Sequence, residues 1–68
     1  MPGTYKITEL VGTSPNSFAD AAKAAVAEAA KTVRNMEWFQ VVEHRGRVEE
    51  GKVKEFQVVL KIGFRIER

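Results

Sequence analysis

Sixty-eight residues with no cysteine and a single histidine read as one domain, 1–68, with neither disulfides nor a Cys/His zinc site to support its core. A chain of this size buries only about 60% of its unfolded surface, so association between copies is the remaining aid to stability. Eleven basic and nine acidic residues leave a formal charge of +2; the signs interleave, so the high pI of 9.2 is not the one-sided basic field of a nucleic-acid binder.

No basic-then-apolar leader opens the chain, and no stretch approaches the ~20 apolar residues of a membrane span. A soluble cytoplasmic protein is expected. The first four residues, with Pro2 and Gly3, read as a loose start. Residues 5–11 (YKITELV) alternate as a first strand, with Tyr5, Ile7 and Val11 on one face and Lys6 and Thr8 on the other. Glu9 breaks the apolar face, which is taken as the inward one. Gly12 to Asn16 is a turn by composition. Ser17 followed three residues later by Asp20 is a helix start, because the hydroxyl accepts from an exposed backbone N–H and the carboxylate sits at the positive end of the helix. Phe18, Ala22, Ala25, Val26, Ala29 and Val33 recur at helical spacing, opposite Asp20, Lys23, Glu28 and Lys31. The alanine-rich face permits close packing on a sheet or a neighbouring helix. Asn35 suits a left-handed helix stop.

The remainder, MEWFQVVEHRGRVEEGKVKEFQVVLKIGFRIER, reads as two long strands joined at Glu50-Gly51. In its second half Phe56, Val58, Leu60, Ile62, Phe64 and Ile66 form one face, and Glu55, Gln57, Val59, Lys61, Gly63 and Arg65 the other. A turn at Glu50-Gly51 makes paired residue numbers sum to about 101. This register puts Phe39 and Val41 on the core face opposite Ile62 and Leu60. It gives the second face Trp38, Gln40, Val42 and His44, with Trp38 opposite Gly63. The fold class is therefore α+β: a three-stranded antiparallel sheet on one helix, in the order β-α-β-β. One helix covers one face of such a sheet, and the other, carrying Trp38, Val42 and Val59, asks for burial by association.

Gly46 to Val53 has the Gly-x-x-x-x-Gly-Lys spacing of a phosphate loop, but Val53 replaces the metal-binding hydroxyl, and a strand follows where a helix is needed. A charged hairpin turn is the better reading. His44 lacks a nucleophile or acid partner on its own face and reads as a solvated or interface residue; no catalytic group and no metal cage is expected. Trp38 is either core filler or a stacking surface. Its position off the core side, across from glycine and near Gln40, Gln57 and Arg65, favours a flat heteroaromatic ligand held by stacking and amide hydrogen bonds. Arg45 and Arg65 are either solvated cations or partners for a phosphate tail, and the residue pattern supports both equally.

The segments ELVGTSPNSFADA and NMEWFQVVEHRGRVEEGKVKEFQVVLKIGFRIE, their order and the chain length resemble the dodecins, small flavin-binding proteins. The resemblance covers nearly the whole chain, and the contexts of Trp38 and Gln57 are its specific part. It implies a hollow dodecamer with flavin (FMN or riboflavin) between symmetry-related subunits. It further implies that Trp38 stacks on the isoalloxazine ring, Gln57 bonds its pyrimidine edge, Arg45 meets the FMN phosphate, and Arg65 serves phosphate or coenzyme A. The implied role is flavin storage and photoprotective quenching, not catalysis. Phe18 stands where many relatives have tryptophan. A homo-oligomeric module without any small-molecule ligand is the alternative.

Overall fold

A computed structural model describes residues 3–66; of the loose start expected over Met1 to Thr4, Met1 and Pro2 lie outside them, and Gly3 and Thr4 precede the first strand without regular structure. The elements are β1 (Tyr5–Ser14), α1 (Phe18–Ala29), β2 (Met36–Glu49) and β3 (Lys52–Arg65). They form an antiparallel sheet of order β1-β3-β2, so the most apolar strand is central. The helix begins where the sequence places it: Ser17 is extended, and its Oγ accepts from the Asp20 backbone N–H at 3.0 Å. It ends earlier than Val33, since Ala30 caps it and the next residues close in tightened turns, Lys31 N–H on Glu28 and Thr32 N–H on Ala29. Asn35 has φ 63° and turns the chain into β2. At the hairpin Glu50 and Gly51 have φ 54° and 75°, the paired positive values of a type I′ loop that matches the twist of the strands.

The core consists of Ala21 and Ala25 from α1 against Val58, Leu60 and Ile62 from β3, with Leu10, Val26, Ala29 and Met36 packed around it. Close approach of helix and sheet is set by Gly12, where a Cβ would meet the Ala21 carbonyl and come within 2.8 Å of the Ala25 Cβ. That approach explains why β1 runs on through Gly12, Thr13 and Ser14, residues whose composition reads as a turn. Ser14 is buried, and its Oγ accepts from Asn16 N–H at 2.9 Å, so the turn follows it.

Two face assignments differ from the sequence reading. In β1 the inward residues are Thr8, Leu10, Gly12 and Ser14, which pair with Ile62, Leu60, Val58 and Phe56. Tyr5, Ile7, Glu9 and Val11 look away from the helix, so Glu9 breaks no inward pattern. A glycine and a serine masked the inward side, because the helix takes the space larger side chains would fill. In β2 the inferred register holds from Trp38 to Val41 and then shifts at Val42, a β-bulge, so that Glu43, His44 and Arg45 pair with Val59, Val58 and Gln57. His44 thereby moves to the helix face, edge-on to Phe18 at 4.9 Å, with Phe18 edge-on to Phe56 at 5.0 Å. Arg45 and Arg47 move to the opposite face.

Helix α1 packs mainly on β1 and β3. Phe39, on the helix side of β2, consequently remains 53% exposed, beside a cleft of about 220 Å³ that it lines with Val26, Met36 and Ile62. Val59, on the opposite face, is only 8% exposed, flanked in register by Val11 and Glu43. Among the described residues no helix is long and apolar enough to cross a membrane.

Candidate functional site

The face turned away from α1 carries two separate constellations. At one end Trp38 lies across Gly63, where a Cβ would collide with the indole. Glycine at this point of β3 therefore lets the ring come close against the strand. Its flank is Tyr5, with ring centroids 5.2 Å apart and planes tilted by 56°. Trp38 nonetheless stays 43% exposed, a rigid aromatic surface that one chain leaves uncovered. Arg65 stands two residues from Gly63 and donates from Nη1 to Glu37 Oε2 at 3.2 Å.

Farther along the ribbon a polar chain runs across β2 and β3. Arg45 Nε donates to Gln57 Oε1 at 3.0 Å, and Gln57 Nε2 donates to Glu55 Oε1 at 2.9 Å. Glu43 lies 3.7 Å from Arg45 Nη1, and Glu55 lies 3.8 Å from Arg47 Nε. The ion pairs are largely solvated and contribute little to stability, roughly 0–1 kcal/mol each; their effect is to order the side chains. The bulge at Val42 creates this arrangement. With an unbroken register, Arg45 and Arg47 would face the helix and Gln57 would lack its donor.

The structure thus brings Arg45 to Gln57 and Arg65 to the vicinity of Trp38, but it does not bring Gln57 to Trp38. Gln57 and Gly63 are six residues apart on β3, about 20 Å at the usual strand rise of ~3.3 Å per residue. Sequence reading placed Gln57 beside the indole because both share a face; the distance along the strand separates them. Tyr5 was missed as a neighbour of Trp38 because its strand was assigned to the wrong side; it pairs with Arg65 and its ring lies beside the indole. Among the described residues no group of three or more His, Cys, Asp or Glu side chains is placed to hold a metal ion.

An exposed aromatic platform, an amide held by its neighbours and flanking arginines on the uncovered face of a β-α-β-β sheet define a class of small open-faced modules. Comparison with known proteins gives the family. The dodecin family model matches residues 4–67. The chain is 52% identical to dodecin of Thermus thermophilus over 67 residues, 98% of this chain and 97% of that one. It superposes on the structure of dodecin from Streptomyces coelicolor with a TM-score of 0.94 at 47% identity, covering 97% of this chain and 94% of the other. The dodecin from Streptomyces davaonensis gives 0.95 at 38% identity over the full length of both chains. The chain belongs to the dodecin family.

Proposed function

We propose that this protein is a cytoplasmic flavin-binding storage protein that assembles as a dodecamer and holds FMN or riboflavin between symmetry-related copies, without catalysing a reaction. The observation that carries the reading is the indole of Trp38, lying over Gly63 and 43% exposed on the face that no element of its own chain covers. Stacking of a flat heteroaromatic ring on such a surface is worth about 1–3 kcal/mol per ring, by analogy with bases on aromatic side chains. The residues fit the group. Gln57 has one lone pair and one N–H in use, which leaves a further acceptor site and a further donor for the pyrimidine edge of the ring. Arg45 suits the FMN phosphate, and Arg65 suits phosphate or coenzyme A. Because Trp38 and Gln57 of one chain are far apart, stacking and edge recognition fall to different copies, which is why the site needs an assembly.

Flavin supplies the absorbing ring; the indole against it offers a rapid path for the excited state to decay without emission. Titrating FMN or riboflavin with protein while following flavin fluorescence tests the proposal. Emission should be quenched by the wild type at micromolar protein and restored by Trp38→Ala. Undiminished emission from an oligomer of the right size would instead identify a structural module with no small-molecule ligand.

A further inference from the structure

We propose that Glu55 is the positioning residue of the site: by accepting from Gln57 Nε2 it fixes which end of that amide donates. The protein thereby recognises a cyclic-imide edge, a hydrogen-bond donor beside an acceptor, and rejects edges lacking the donor. The inference rests on the flavin reading and extends it to a residue that touches no ligand.

A glutamine amide turned by 180° exchanges a donor for an acceptor, and on an open sheet face sterics alone do not choose between the two orientations. Here the surroundings choose. The flipped amide would set its NH2 against the Arg45 guanidinium and its oxygen against the Glu55 carboxylate. Each charge-assisted hydrogen bond broken by the flip is worth about tenfold in population. Glu55 is itself held, half-buried on β3 with Arg47 as its cross-strand partner. Of the two anchors, Arg45 also approaches Glu43 and is the group the flavin reading gives to a phosphate tail. Once Arg45 turns to phosphate, Glu55 remains as the group that orients Gln57.

The test compares riboflavin with N3-methylriboflavin, which lacks the imide donor, by fluorescence titration of the assembled wild type, Glu55→Ala and Glu55→Gln at one protomer concentration. Wild type should prefer riboflavin, Glu55→Ala should lose about tenfold of that preference, and Glu55→Gln, whose carbonyl still accepts, should keep it within about twofold. In ligand-free protein the Gln57 side-chain amide resonances should be well dispersed in wild type and Glu55→Gln, and collapse toward solvent-exposed values in Glu55→Ala. An unchanged preference in Glu55→Ala, or equal loss in both variants, overturns the assignment. The wild-type titration separates the two levels. If wild type leaves riboflavin emission undiminished, the flavin reading fails, while the Gln57 resonances still report whether Glu55 holds the amide.

Discussion

Replacing Gly63 by alanine isolates the close approach on which the aromatic platform depends. Gly63 lies within β3, two residues from its end, without a positive φ, so alanine suits its backbone, and the perturbation is the added methyl alone. Built on Gly63, that carbon falls 2.6 Å from Trp38 Cη2 and closer still to two other indole atoms, well inside van der Waals separation. Either the ring or the strand must move. Overpacking a closed core costs about 1–3 kcal/mol, but an indole with 43% of its surface open can swing outward. The stability loss should therefore stay near the low end, about 1 kcal/mol, or roughly 4–8 °C in Tm for a domain of this size. Recognition should suffer more, because a lifted ring no longer stacks in the right geometry: forfeiting about 2 kcal/mol of stacking weakens flavin affinity roughly 30-fold. Thermal melts and FMN titrations at one fixed protomer concentration separate the two effects, since assembly makes Tm concentration-dependent. Wild-type affinity in Gly63→Ala would refute the claim that the flat indole over glycine is the binding surface.

Gly12→Ala should be more damaging to stability than to binding, near 3 kcal/mol at the upper end of the overpacking range, because the added carbon meets the Ala21 carbonyl and backbone cannot swing aside; urea unfolding measures it. Ser17→Ala removes the hydroxyl that caps α1 and should cost about 1 kcal/mol without altering flavin quenching. Glu50→Asn places a residue tolerant of positive φ before Gly51 and should raise stability by roughly 0.5 kcal/mol, seen as a higher Tm.

The helix cap, the left-handed Asn35, the hairpin and the pairing of Trp38 with Gly63 were legible because each depends on local chemistry or on period-two counting from a well-marked turn. The sides of two strands were not. The side of β1 was misread because apolarity usually marks the inward face, whereas here Gly12 and Ser14 are inward to admit a closely packed helix, and Tyr5, Ile7 and Val11 form the open face. The bulge at Val42 leaves no compositional trace in a run of valines and charged residues, yet it reverses every orientation from Glu43 to Arg47. It sends His44 to Phe18 and brings Arg45 to Gln57. Of the candidate site, the residue types were readable; their grouping into two distant sets required the coordinates.

The gap between the indole and the amide on one sheet has a kinetic meaning. On the flavin reading, a solitary chain owns a bed for the ring with nothing to grip its rim, so folding and the acquisition of recognition are separate events. The first is unimolecular and the second depends on how often copies meet. The concentration of protomers then governs not merely how much ligand is held but whether a receptor exists at all.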